Sequence, residues 1–206
     1  MELMQKTADK FYDLAIVDPP YGIKITRECM GGRKNILPDK SKSWDSSTTD
    51  KKYFDELFRV SKNQIIFGGN YFVLPPSRYF FIWDKGETMY GRDFAEAEYA
   101  WVSGGGTKIY KLTPIQKDRI HTTQKPVVLY KWLLNNYAKV GNKILDTHGG
   151  SMSSAIACGQ MGFDITLCEI DLDYFTSGCQ RVLDYFRAQN LFSSQPEIKI
   201  NGVNAE

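Results

Sequence analysis

Asp18-Pro19-Pro20-Tyr21 closes the short apolar run Leu14-Ala-Ile-Val17. Two consecutive prolines fix φ and remove two N–H groups, so this backbone is stiff and its carbonyls are held outward as acceptors. One carboxylate, one outward carbonyl and one aromatic ring on a rigid turn suit a planar base that carries an exocyclic amine. Asp18 and the Pro19 carbonyl can each accept one amine hydrogen, and Tyr21 can stack on the ring, as aromatics do with bases taken out of the helix stack. Prolines cannot continue a central strand, so the run must end there. In an open α/β sheet the carboxyl end of a strand is where ligands bind.

A second constellation is Asp146-Thr-His148-Gly149-Gly150-Ser151-Met-Ser153, between a predicted strand and a predicted helix. Small residues admit a ligand close to the backbone, and the start of a helix offers free N–H groups. Glu169 follows Gly149 by twenty residues, at the end of the next predicted strand. An acid there can accept hydrogen bonds from ribose hydroxyls. The loop lacks the GxGxxG spacing, which disfavours a dinucleotide and suits a mononucleoside-like cofactor. A third segment, His121-Thr-Thr123-Gln124-Lys125-Pro126, leads into a helix and can either cap it or contact a ligand carboxylate. Taken alone, His148 reads as a loop residue, since it has no nucleophile or metal partner to activate.

The elements that carry these residues alternate between strand and helix patterns. Strands are predicted at 14–17, 64–67, 79–83, 98–102, 143–145 and 163–168, with a weak one at 197–200. Asp50 is placed to N-cap a helix with the face Tyr53, Phe54, Leu57 and Phe58. Pro126 can open a helix with Leu129, Trp132, Leu133 and Tyr137 on its inner side. Further helices run from Ser153 or Ser154 to Gly162 and onward from Asp171. This alternation indicates an α/β protein with a mostly parallel sheet. Residues 22–49 and 103–124 read as two long loops, a length usually tied to function.

The 206 residues are 42% apolar and 24% charged, the make-up of one globular domain with a real core. Four scattered cysteines, Cys29, Cys158, Cys168 and Cys179, form neither a disulfide framework nor a CxxC zinc site. Two histidines are too few for a metal cluster. There is no apolar run of the roughly 18 residues a membrane span needs, and no signal-peptide core. Net charge is +2, unevenly spread. Lys24, Arg27, Arg33 and Lys34 sit in the first loop, and Lys108 and Lys111 in the second. Such patches either follow a phosphate backbone or are simply solvated.

The three motifs, in this order, resemble the DNA amino-methyltransferases of the circularly permuted β type, where DPPY comes first and the cofactor loop later. DPPY is Asp18–Tyr21. His121-Thr-Thr-Gln-Lys-Pro-Val127 is similar to the family's HPTQKPV, and Asp146 to Ser153 to its DPFxGSGT loop. Gly162 to Asp171 looks like the strand whose acid holds the ribose. Phe67-Gly-Gly-Asn70 and Trp83-Asp-Lys85 also resemble small phage-type members. The likeness spans residues 12 to 190. It implies a Rossmann-like S-adenosylmethionine (AdoMet)-dependent methyltransferase fold, with a mixed, mostly parallel sheet flanked by helices, in one domain covering residues 1–206.

The resemblance further implies catalytic residues Asp18, Pro19, Pro20 and Tyr21. The AdoMet site would use Thr123, Gln124, Lys125, Asp146, His148, Gly149, Gly150, Ser151 and Glu169. Double-stranded DNA would be the partner, contacted by the loops at 22–49 and 103–120, with no separate target-recognition domain. No metal or membrane enters. The setting would be the cytoplasm of a prokaryotic or phage-infected cell, with restriction-modification one possible role and a homodimer one possible assembly.

DPPY in the family mostly accompanies N6-adenine, and SPPY mostly N4-cytosine. The alternatives are N4-cytosine chemistry, a catalytically silent DNA-binding remnant, RNA as substrate, and a protein glutamine amide, against which Asp18 argues. Three departures stand out. Thr147, His148 and Met152 replace the family's proline, phenylalanine and second glycine. A glycine there would serve a positive φ or a close cofactor approach, and either need makes Met152 costly. Met1-Glu-Leu-Met begins close to DPPY, as though a short N-terminal strand were missing.

Overall fold

The computed structural model describes residues 1–23, 49–116, 119–121, 123–188 and 196–200. A short helix α1 (Glu2–Lys6) precedes β1 (Tyr12–Val17), α2 (Lys51–Val60), β2 (Ser61–Phe67), a 3-10 turn at Gly69–Tyr71, β3 (Tyr79–Asp84) and β4 (Ala97–Val102). There follow β5 (Lys108–Lys111), α3 (Val127–Tyr137), β6 (Lys143–Asp146), α4 (Ser153–Met161), β7 (Asp164–Leu167) and α5 (Leu172–Ala188).

The strands form one seven-stranded sheet in the order β5-β3-β4-β2-β1-β6-β7. β4 is antiparallel to both neighbours, and every other pairing is parallel. Strand alternation puts a core on each face. Leu14, Ile16, Ile65, Phe67, Phe81, Ala100, Val102 and Ile144 point to the face covered by α3 and α4. Ala15, Val17, Ile66, Trp101 and Leu145 point to the face covered by α1 and α2, through Met4, Phe54, Leu57 and Val60. β1 pairs with β2 on one side and with β6 on the other, although most of the chain separates β1 from β6. The strand order therefore reverses at β1/β6, and a crevice opens at their carboxyl ends.

Local signals account for the helix boundaries. Asp50 Oδ1 accepts from the Tyr53 N–H at 2.9 Å, the cap expected from its position. Asp171 Oδ1 caps α5 through the N–H groups of Asp173 and Tyr174, both at 3.0 Å. Gly162 ends α4 in the left-handed region at φ 71°. Pro126 is the N-cap residue of α3 rather than its first helical residue.

Two expectations need correction. The loop at 103–124 contains β5, whose residues pair with Phe81 to Asp84 of β3. Residues 197–200, expected as a weak strand, lie outside the sheet. Among the described residues no helix is long and apolar enough to cross a membrane.

Candidate active site

A cavity of about 380 Å³ opens at the carboxyl ends of β1, β6 and β7. That size lies within the range of small-molecule sites. It is lined by the Asp18–Tyr21 turn, by Thr123 to Lys125, by His148 to Ser151 and by Glu169. The three motifs, far apart in sequence, thus meet in one place.

The turn after β1 is built around the Asp18 carboxylate. Tyr21 donates its hydroxyl hydrogen to Asp18 Oδ1 at 2.5 Å, and Lys125 Nζ donates to Oδ2. The Tyr21 ring stacks on Tyr71, with centroids 4.8 Å apart and planes 9° apart. It also lies so close over Gly68 that a Cβ there would stand 2.2 Å from its Cε1. Hence Gly68 must be small to seat the tyrosine, and Gly69 must be small to lie against β4, where a Cβ would stand 2.5 Å from Trp101 Cβ.

Lys125 is buried, with 4% of its side chain exposed, and lies between two carboxylates. Besides Asp18, it pairs with Glu98 Oε2 at 3.2 Å, and Glu98 Oε1 pairs with Lys85 at 2.9 Å. Burial alone would lower the Lys125 pKa, but Asp18 and Glu98 overcome it and raise it. Burial would raise Glu98, but Lys125 and Lys85 hold it down. The result is a ladder of alternating charge, Lys85–Glu98–Lys125–Asp18, running into the site. Lys85 ends the Trp83-Asp-Lys85 segment noted above, but Glu98 was not singled out in the sequence. Its charge sits within β4, with no local motif to mark it.

The Gly-rich turn is held from three sides. Asp146, 2% exposed, accepts from the Ser154 hydroxyl at 2.6 Å and from the His148 N–H at 3.0 Å. It shapes the turn from beneath and does not line the cavity. Gly149 N–H donates to the Cys168 carbonyl at 2.8 Å, and a Cβ on Gly149 would stand 2.3 Å from Leu167 Cδ2. Only glycine allows that approach of the turn to β7. Glu169 accepts from the Gly150 N–H at 2.7 Å with one oxygen and from the Asp171 N–H at 2.8 Å with the other. From α5, Arg181 Nη1 donates to the Ser151 carbonyl at 2.5 Å and to Ser153 Oγ at 3.1 Å.

Met152 is left-handed, at φ 56°, and buried. Of the two needs that a glycine there would serve, the positive φ is present. The conformation costs a non-glycine residue about 1–2 kcal/mol. The side chain faces away from the cavity, into a cluster with Ile156, Val182 and Phe186. It fits there because α5 carries Gly178 opposite, where a Cβ would come within 2.8 Å of Met152 Cγ.

In the third segment, Thr123 N–H donates to His121 Nδ1 at 3.2 Å, and the His121 ring packs on Tyr174 with centroids 4.2 Å apart. The same ring lies beside Gly150. Gln124 is buried and bonds Gln116 and the Ile120 N–H, each at 3.0 Å, which folds the segment on itself. Tyr130, Ile170, Asp171 and Tyr174 complete the lining. Lys108 and Lys111 lie on β5, where Lys111 pairs with Glu87 at 2.8 Å. Lys24, Arg27, Arg33 and Lys34 lie outside the described residues. Among the described residues, no group of three or more His, Cys, Asp or Glu is placed to hold a metal ion.

The site's histidines set a pH dependence of stability. Burial lowers both His121 and His148 from 6.5 to about 4. Between those values the unfolded chain binds more protons, so stability rises with pH. Burial raises Asp146 from 3.8 to about 6, which works the other way over part of that window. Two histidines outweigh one carboxyl. Thermal melts are therefore expected to show a melting temperature that climbs from about pH 4.5 to about pH 6.5 and then levels. A melting temperature that falls over that window would contradict the buried, neutral state of the histidines.

The sheet order, the reversed strand β4 and the crevice at β1/β6 define the Rossmann-like fold of the AdoMet-dependent methyltransferases. The sequence matches no family model and no curated protein. Solved structures do match. The complex of M1.HpyAVI with S-adenosylmethionine is 17% identical, covers 87% of this chain and 92% of its own, and has a TM-score of 0.55. TTHA0409 from Thermus thermophilus, assigned as a DNA modification methylase and solved with S-adenosyl-L-methionine, is 16% identical over 89% and 90% of the two chains, at 0.55. The cytosine-N4-specific PvuII DNA methyltransferase is 11% identical over 89% and 87%, at 0.58. At these identities the likeness is one of fold.

Proposed function

We propose that the protein is a DNA methyltransferase that uses AdoMet to methylate an exocyclic amine, N6 of adenine, in duplex DNA. The observation that carries this reading is the meeting, in one cavity, of the Asp18-Pro-Pro-Tyr21 turn with the glycine turn and Glu169. The motif order supports the permuted β arrangement, in a single domain.

The cavity's chemistry fits the cofactor. Gly149 brings the turn's backbone against β7, and Glu169 accepts hydrogen bonds beside it, so the turn and Glu169 would hold the nucleoside. AdoMet, when bound, supplies a methyl group already activated by its sulfonium. The chain's residues then need only bind, orient and exclude water. Each Asp18 oxygen keeps a lone pair beyond its bond to Tyr21 or Lys125, and so can accept an amine hydrogen. The Pro19 carbonyl accepts the other. Together they draw the amine's lone pair out of the ring. After transfer the amine's surplus proton leaves to solvent. Lys108 and Lys111 on β5, with the basic residues of 22–49, are the proposed phosphate contacts.

Glu169→Ala is expected to weaken AdoMet binding by about tenfold, the worth of one charge-assisted hydrogen bond. Calorimetric titration checks this, and unchanged affinity would remove Glu169 from the ribose. The reading as a whole is tested by transferring labelled methyl from AdoMet to unmethylated DNA, followed by digestion and mass spectrometry of the nucleosides. N6-methyladenine is the expected product. N4-methylcytosine is the second reading, favoured by the fold likeness to the PvuII enzyme. No methylated base would overturn both.

A further inference from the structure

His148 lines the cavity but is not there alone. Its Nδ1 lies 3.0 Å from Thr147 Oγ1, which lies 2.6 Å from the Tyr53 hydroxyl on α2. The ring meets Tyr53 edge-on, with centroids 5.4 Å apart. Hydrogen counting gives this relay a direction. Tyr53 is buried, and Thr147 is the one hydrogen-bond partner of its hydroxyl among the described residues. If Thr147 donated to Tyr53, the tyrosine's own hydrogen would be buried without an acceptor, a costly arrangement. Tyr53 therefore donates to Thr147, and Thr147 donates to Nδ1. The proton of the neutral imidazole is then on Nε2. Nothing among the described residues bonds Nε2.

His148 and Asp18 line the same cavity, and Asp18 is the side-chain charge that acts on the ring. Burial keeps it neutral at physiological pH. A neutral donor suits that place, because an imidazolium would repel a sulfonium and drain the base's electrons.

We propose that His148 donates a hydrogen bond from Nε2 to the ring nitrogen beside the target amine, N1 of adenine, and so positions the base against Asp18. This rests on the reading of the site as a base-methylating centre. Both adenine and cytosine carry such an acceptor next to the amine, so the donor recognises an amine-plus-acceptor edge.

The test couples a base analogue to a variant. In a duplex carrying the methylated site, 1-deazaadenine replaces the target adenine, or 3-deazacytosine if the product is N4-methylcytosine. The wild type is expected to lose about tenfold in kcat/KM on the analogue, the worth of one hydrogen bond. His148→Phe is expected to lose a similar factor on the natural base and nothing further on the analogue, with its AdoMet dissociation constant unchanged. Thr147→Val leaves the ring in place and releases its tautomer. It should weaken the same coupling, which keeps the test decisive if His148→Phe folds poorly. Equal losses on the analogue for wild type and variants would overturn the proposal. A raised AdoMet dissociation constant without coupling to the base would overturn it too, and would assign the donor to the cofactor. Absence of methyl transfer by the wild type would overturn the reading of the site as well.

Discussion

Asp18→Ala is expected to lower methyl transfer by about a hundred- to a thousandfold, as loss of a preorganised group aimed at developing charge does elsewhere. The AdoMet dissociation constant is expected to stay within about twofold, because Asp18 acts on the amine and not on the cofactor. The structure makes this separation reasonable. Glu98 still faces Lys125 after the change, so the buried ammonium keeps a partner at 3.2 Å. The Gly149–Ser151 turn is held by Asp146, Glu169 and Arg181, none of which depends on Asp18. Single-turnover rates and calorimetric titration on the same preparation check both halves. Retained turnover would remove Asp18 from the chemistry, and a parallel loss of cofactor affinity would make it a cofactor ligand.

Lys125→Met is expected to destabilise the fold by about 3 kcal/mol, the lower end for breaking a buried ion pair. The lower end applies because the Asp18 and Glu98 side chains keep 20% and 24% of their exposure. Methionine fills much of the aliphatic volume over Phe67, whose ring lies 4.5 Å from Nζ. What is lost is the cation between two carboxylates. Lys85 alone then opposes the burial that raises Glu98, so the defect should shrink as pH falls and Glu98 takes a proton. Urea unfolding at neutral and mildly acidic pH measures this. A loss below about 1 kcal/mol would class the pair with ordinary surface bridges.

The parts of the molecule legible in the sequence were those with local causes. Asp50, Asp171 and Gly162 mark helix ends through chemistry within four residues, and the apolar faces follow from periodicity. The Asp18 turn, the glycine turn and Glu169 were legible as motifs, and the sheet topology brings them together. β5 was hidden because four half-exposed residues beside Gly104-Gly-Gly106 carry little pattern, and only pairing with β3 makes them a strand. Glu98 was hidden because its partners, Lys85 and Lys125, meet it through space. The relay from Tyr53 to His148 was hidden for the same reason, since Tyr53 and Thr147 lie 94 residues apart. At Met152 the family's glycine left a positive φ and a close cofactor approach both open. The place of its side chain was not legible, since that depends on the gap opposite at Gly178.

That gap has a mechanical consequence. The thioether of Met152 fits against α5 as a peg in a socket, and Arg181, one turn further along the same helix, ties down the carbonyl just before it. Neither the turn nor the helix can roll or slide without the other. Glu169, which leads into α5, is bonded back to the turn through Gly150. The jaw that would grip a nucleoside is thus rigid before anything enters it. A ligand arriving there would bear little of the ordering entropy that a loose loop would charge against its affinity.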